Sequence, residues 1–426
     1  MKRIFITMLT LILFGGLLAA CGSKGGSATN SSGEKLEKVD LKVFISQPRF
    51  KKQYETYLDQ FVEKQKEEKG RDINIKLEMP NVNQADQLLK TRLASGDSPD
   101  IFSLHAGNDL PVYDKAGYLE DLSGEPFIEK LYDTITPGVT IDDRVLAVPL
   151  ETVQWGFLYN KDLFAEYDLE APSTISEMEE VIKTLEENDV TPFIRAYKDA
   201  YIPQLFLPIT VGAADITTNK GFIDSMNEGN GSFADLKDMF PIIDLVDSHG
   251  TDRAFEIGQD QGASDFANGK AAMWVQGAWM AESIMAANEN FNFGVAALPI
   301  NDDPNSTLIN LGSSTSLAVS KESKVKDVAK DFINYVMDEK DSSAFYESLA
   351  FNPISDLHTF EPYPWLEDSS AYVADGKVYQ DPTIPSAVKS ESEKLFQSYF
   401  AGDATQEAVI KGLDRAWEQY LKINKK

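Results

Sequence analysis

The three histidines, His105, His249 and His358, stand far apart in 426 residues and in none of the spacings that hold zinc on one helix or between two loops. No GxSxG nucleophile elbow and no GxxxxGK[ST] phosphate loop occurs. Ser and Lys fall three apart in SKVK (Ser323 to Lys326) and SAVK (Ser386 to Lys389), but the SDN and KTG partners of a penicillin-recognising site are missing. Paired carboxylates for glycoside hydrolysis remain open, because 68 acidic residues always offer some pair.

The residues that do stand out suit gripping a solute rather than breaking a bond. In MWVQGAWM, Gly277 separates a predicted strand from a predicted helix and puts Trp279 in the first helical turn, where backbone N–H groups are free. An indole there can lie on the apolar face of a sugar ring while polar neighbours such as Gln276 bond its hydroxyls. Trp274, inside the strand, is read first as core and is kept as a second aromatic candidate. SLHAGND follows the strand DIF, so His105, Asn108 and Asp109 fall beyond the carboxyl end of a strand, where open α/β sheets bind ligands. Glu151, Asp109 and Asp260 are acids that, beside aromatics, would suit a polyamine instead.

The elements that must position these residues alternate. VDLKVFIS reads as a strand, and the helix after it carries Phe50, Tyr54, Tyr57, Leu58, Phe61 and Val62 on one face before stopping at Gly70. DINIKLEM alternates at period two, QADQLLKTRLASG is a helix closed by Gly96, and DIFSL is a buried strand. That order predicts a parallel sheet with helices on its faces, an α/β fold. Further on, Thr174 and Glu177 form a capping-box pattern, opening a helix with Ile175, Met178, Val181, Ile182 and Leu185 inward. Val325, Val328, Ala329, Phe332, Ile333 and Val336, then Ala408, Val409, Leu413, Trp417 and Tyr420, make two more helical stripes, read as core.

The N-terminus reads as an export signal over residues 1–20: Lys2 and Arg3, an apolar run from Ile4 to Leu18, then Ala19 and Ala20. The run is too short to span a bilayer comfortably, and Gly15 and Gly16 weaken it further. Leu18-Ala19-Ala20-Cys21 resembles the lipobox of bacterial lipoproteins, which implies a lipid-modified Cys21 anchored by its acyl chains. Residues 21–35, rich in Gly and Ser, then form a flexible tether. A net charge of −28 argues against nucleic acid and against anionic headgroups as ligands. With Cys21 lipidated, no thiol remains for a disulfide or a thiolate metal site.

LASGDSPDIFSL, LPVYDKAGYLEDLS, LAVPLETVQWGFLYNKDLFAEYDLEAPSTISEMEEVIKTL, FANGKAAMWVQGAWMAESI, FNFGVAALPI and GSSTSLAVSKESKVKDVAKDFINYVMDE resemble, in that order, the extracellular solute-binding proteins of family 1. That family includes the maltose-binding protein and the carbohydrate-binding lipoproteins of ABC importers. The resemblance implies a two-lobe fold of periplasmic-binding-protein type II, with a hinge of crossing segments and a ligand cleft between the lobes. It implies one lobe from residues 36–147 plus 299–337 and another from 148–298 plus 338–426. Crossings would lie near Ala147 to Thr152, near Ala296 to Pro299 and before Ser342.

The resemblance also adds site residues. Trp279 matches a sugar-stacking aromatic after a Gly, and Asn108 a polar loop of the first lobe. Gln47 and Arg49 fall in the loop after the first strand, and Trp155 beside the first crossing. Tyr197 and Tyr201 fall where a ligand-facing aromatic is frequent, and Gly312 and Ser313 in a Gly-rich entry into a returning strand. Leu104 stands where the maltose-binding protein has an aromatic, which argues against a long maltodextrin. The implied function is a monomeric, lipid-anchored receptor on the outer face of a Gram-positive cell membrane. It would carry a sugar to the permease of an ABC importer, with no cofactor and no metal.

Overall fold

The computed structural model describes residues 36–424 except 133–134, 313–314, 341, 350, 353 and 359–362, and leaves the side chains of residues 49, 82, 83 and 108 undescribed. The export segment, Cys21, the tether and Ser313 therefore lie outside the described residues, as do the side chains of Arg49 and Asn108.

In chain order the strands are β1 (Glu37–Phe44), β2 (Arg71–Glu78), β3 (Ile101–Leu104), β4 (Thr140–Ile141), β5 (Arg144–Val145), β6 (Val148–Pro149) and β7 (Val153–Trp155). They continue with β8 (Phe157–Asn160), β9 (Met273–Trp274), β10 (Phe293–Ala296), β11 (Ile309–Gly312), β12 (Ser316–Val319) and β13 (Val378–Tyr379). The first three alternate with helices α1 (Lys51–Lys69), α2 (Val82–Ser95) and α3 (Ala106–Lys115).

Helix α1 forms because Tyr54, Tyr57, Leu58 and Phe61 recur at helical spacing and bury together, and it ends at Gly70, whose φ of +64° suits a residue without Cβ. Phe50 lies just ahead of α1, in a 3-10 turn that Pro48 opens. Parallel pairing of β1 with β2 and with β3 follows from the two helical crossovers. The sheet order is β2-β1-β3-β12-β6, with β12 antiparallel to both β3 and β6. One core covers this sheet, joining Leu41, Phe44, Phe61 and Phe102 to Phe332, Tyr346 and Ile354 from far along the chain. Tyr57 stitches it: its ring stacks on Phe345 at 4.0 Å, and its hydroxyl donates to the Tyr335 carbonyl at 2.7 Å. A buried phenol thus keeps its hydrogen bond.

The second lobe has two three-stranded sheets, β10-β8-β9 and β13-β11-β7. The predicted helix at Thr174 spans Ile175–Glu187, buries Met178, Val181, Ile182 and Leu185, and is capped by the Thr174 hydroxyl accepting from the Glu177 N–H at 3.1 Å. Its Glu177 carboxylate accepts the Ser173 N–H at 2.7 Å. The helix Gln406–Asn424 buries Val409, Leu413 and Trp417, while Ala408 is exposed.

The chain crosses between the lobes from β6 to β7, and Val148 and Leu150 still pack in the first core, so the second lobe begins later than residue 148. The next crossing differs from the expectation near Ala296 to Pro299. Ile300 and Leu308 still pack in the second lobe and β11 pairs with β7, so the chain returns only between Gly312 and Ser316. The last crossing falls after Ile354 and ahead of Leu366 rather than before Ser342, because Phe345, Leu349 and Phe351 complete the first core.

Candidate functional site

Between the lobes lies a cleft with two compartments that share wall residues. The larger, about 730 Å³, is walled on the first lobe by Ser46, Gln47, Leu104, His105, Asp109 and Tyr113, and on the second by Gln259, Asp260, Glu282 and Ser283. The smaller, about 90 Å³, is closed by Phe50, Phe351, Trp279 and Trp365 around Glu151 and Asn352. Gln47 and Glu282 border both. A cavity of several hundred Å³ with an apolar wall and a few converging polar groups suits a small-molecule ligand.

The end of β1 delivers Ser46 and Gln47, and the Ser46 N–H donates to Ser103 Oγ at 2.8 Å, fixing that loop to β3. The Gln47 amide donates to Thr315 Oγ1 at 2.7 Å, and Thr315 in turn donates to Glu151 Oε1 at 2.6 Å. This chain ties the loop after β1 to the crossings beside β6 and β12. Gln47 Oε1 is buried with no hydrogen-bond partner among the described residues, an acceptor available to a ligand hydroxyl. The first crossing is also held by Asn352, whose amide donates to the Thr152 carbonyl at 2.6 Å.

His105 stands at the cap of α3, and its N–H donates to Asp109 Oδ2 at 2.9 Å. Of the predicted loop SLHAGND, Ser103 and Leu104 extend β3, and Ala106 to Asp109 open a helix that continues through Pro111. Burial pushes the His105 imidazole below its usual range, against the pull of Asp381, and pushes the Asp109 carboxyl up. The His105 ring is therefore held toward its neutral form, and its Nδ1 has no hydrogen-bond partner among the described residues.

Across the cleft, Trp279 sits half-buried in the 3-10 turn Ala278–Met280 that leads into the helix Ala281–Ala287. Its ring meets Trp155 edge-on at 5.6 Å. A Cβ on Gly277 would collide with the Trp279 ring and with Cβ of Trp155, so only glycine lets the indole fold back over the chain. The Tyr201 hydroxyl donates to Gln259 Oε1 at 2.9 Å and accepts from the Gln276 amide at 3.3 Å. Burial raises the Tyr201 pKa to about 12, while hydrogen bonds from Gln276 and Trp279 draw it down.

The sequence candidates thus separate into layers. Gln47, His105, Asp109, Glu151, Asp260 and Trp279 line the cleft. Trp155, Tyr201 and Gln276 stand behind Trp279 and hold it. Tyr197 is corrected to core, where it stacks on Phe400 at 4.6 Å; Trp274 lies in the core as first read, against Phe266 with 1% of its surface exposed, and drops out as a second aromatic candidate. Gly312 borders a different cavity, where Asn310 donates to Asp381 at 2.8 Å. Sequence reasoning missed Phe50, Phe351, Asn352, Trp365 and Glu282. Phe50 and Glu282 sit in stretches read as helix face, and the segment carrying Phe351 to Trp365 has no periodic pattern to flag it. Among the described residues no group of three or more His, Cys, Asp or Glu side chains could hold a metal ion.

Similarity to known proteins accords with this geometry. The multiple sugar-binding protein of Streptococcus mutans is 26% identical over 78% of this chain and 77% of its own. The galactooligosaccharide-binding protein of Bacillus subtilis is 25% identical over 92% of this chain and 91% of its own. The solved apo structure of RafE from Streptococcus pneumoniae superposes with a TM-score of 0.73 at 20% identity, covering 91% of this chain and 99% of RafE. That likeness shows the two-lobe type II fold. Residues 51–342, more than half of the sequence, match the bacterial extracellular solute-binding proteins, and the chain belongs to that family.

Proposed function

We propose that this protein is the solute receptor of an ABC importer, taking a sugar or small oligosaccharide between its lobes and passing it to the permease without chemical change. The observation that carries this is the pairing across the cleft of a half-buried indole, Trp279, on one lobe with the unsatisfied acceptor Gln47 Oε1 on the other. An indole face covers the apolar side of a pyranose, and an acceptor facing it takes a hydroxyl. A ligand touching both lobes stabilises their closed arrangement, because only a difference in affinity between two states shifts their populations. The names of the relatives support a sugar: the Streptococcus mutans and Bacillus subtilis proteins are named for sugars, and RafE has also been solved with raffinose.

The lipobox-like sequence supports anchoring through Cys21 on the outer face of the membrane, with the tether holding a monomeric receptor near its permease. A thermal-shift panel of mono-, di- and trisaccharides tests the reading. A ligand at 100 times its dissociation constant adds about 2.7 kcal/mol and raises the melting temperature. A panel in which no saccharide moves the transition, or in which the protein hydrolyses the glycan, refutes it.

A further inference from the structure

Taking the interlobe cleft as the sugar site, we propose that Thr315 is the positioning residue that fixes its hydrogen-bond polarity. Thr315 turns the Gln47 amide so that an acceptor faces the cleft, and the site admits a solute that brings a donor hydroxyl to that point. Hydrogen counting sets the direction of each bond. A carboxylate has no hydrogen to give, so where Thr315 Oγ1 meets Glu151 Oε1 at 2.6 Å the threonine hydroxyl donates its single hydrogen. Its oxygen keeps only acceptor capacity, and at 2.7 Å it takes an N–H from Gln47 Nε2. Were the amide turned over, two acceptors would face each other across that distance. The carbonyl end of Gln47 is the end left over: Oε1 is buried, has no hydrogen-bond partner among the described residues, and belongs to a side chain that lines both compartments.

Thr315 is held for this task from two sides. It is buried on the crossing between Gly312 and Ser316, and its carbonyl accepts the Leu150 N–H at 2.8 Å, so backbone and hydroxyl both tie it to the segment carrying Glu151. The carboxylate at the head of the chain also polarises the bonds behind it. A hydroxyl that donates to an anion is a better acceptor, and an amide whose N–H is engaged carries more charge on its oxygen. A sugar hydroxyl reaching Gln47 Oε1 completes the chain. A solute that places a methyl ether or a C–H there leaves a buried acceptor unpaired, and an anionic oxygen is repelled.

Two readouts on the mature protein test this with a near-isosteric pair: Thr315→Val removes the hydroxyl and Thr315→Ser keeps it. Side-chain amide spectra of isotope-labelled protein, with the Gln47 pair identified by its loss in Gln47→Met, need no ligand. One Nε2 proton is expected downfield and slow to exchange in the wild type and in Thr315→Ser, and at the position of a free amide in Thr315→Val. Calorimetric titration of the mono-, di- and trisaccharide panel into the three proteins is the second readout. Each saccharide that binds the wild type should bind Thr315→Ser within about twofold and Thr315→Val about fivefold to tenfold more weakly, the size of one net hydrogen bond.

A Gln47 amide spectrum unmoved by Thr315→Val overturns the proposal, and so does a valine variant with wild-type saccharide affinity. Should Thr315→Val fail to fold, Gln47→Glu asks the same from the other side of the bond. Its carboxylate still offers an acceptor to the cleft but faces a threonine oxygen with no hydrogen to give, so saccharide affinity should fall as far, and undiminished affinity overturns the relay. A panel silent on the wild type refutes the sugar receptor, while the ligand-free spectra decide the role of Thr315 on their own.

Discussion

The most quantitative consequence of the packing concerns His358. Only 6% of its surface is exposed, its ring lies 3.9 Å from that of Tyr346, and its Nδ1 accepts the Ile354 N–H at 3.3 Å. Burial lowers its pKa to about 4, against 6.5 for a free histidine. The folded state therefore refuses a proton that the unfolded chain takes up once the pH falls below 6.5. The neutral ring's contribution is fully present above that value and is lost as the pH falls towards 4. For this pKa pair the loss is about 2 kcal/mol at a pH of about 5 and about 3 kcal/mol below both values.

His358→Asn keeps an acceptor for Ile354 and removes the titration. Urea unfolding of both proteins at pH values of about 7.5 and about 5 should show the stability gap moving by about 2 kcal/mol in the variant's favour at the lower pH. Carboxylate titrations are common to both proteins and cancel in that difference. A gap of the same size at both pH values would show that the imidazole is solvated in the native state, and the packing argument would fail.

Two further outcomes test the cleft. Covering roughly 60 Å² of the Trp279 indole by a sugar is worth about 1.5 kcal/mol, so Trp279→Ala should weaken saccharide binding about tenfold by calorimetry. Trp279→Phe should recover part of that loss, and an unchanged affinity in the alanine variant refutes the stacking role. Gly277→Ala introduces a Cβ into the space of Trp279 and Trp155 at an ordinary φ of −128°, so its effect is steric alone. It should shift tryptophan emission and weaken binding together; unaltered emission and affinity would mean that the indole does not depend on the glycine.

The α/β alternation of the first lobe was legible because each element carries its own period: α1 buries Tyr54, Tyr57, Leu58 and Phe61 as read, and the helices Ile175–Glu187 and Lys326–Tyr335 bury their stripes. Among the sequence candidates, Gln47, His105, Asp109 and Trp279 follow or adjoin the ends of strands and line the cleft. The site was obscure where aromatics cluster. Trp274 and Tyr197 have the composition of a binding platform and the location of a core, since in β9 and in the turn before Tyr201 both faces are covered.

By itself the sequence determined what is local: which segments coil, which extend, where Gly70 stops a helix, where Thr174 starts one, and that acid outweighs base. Only the tertiary structure decided which distant side chains share one space. Phe50, Glu151, Trp279, Phe351 and Trp365 come together because the chain crosses between lobes after Leu150, before Ser316 and again after Ile354. Such crossings are set by the summed burial of two cores, to which no single segment contributes enough to mark the boundary in its own residues.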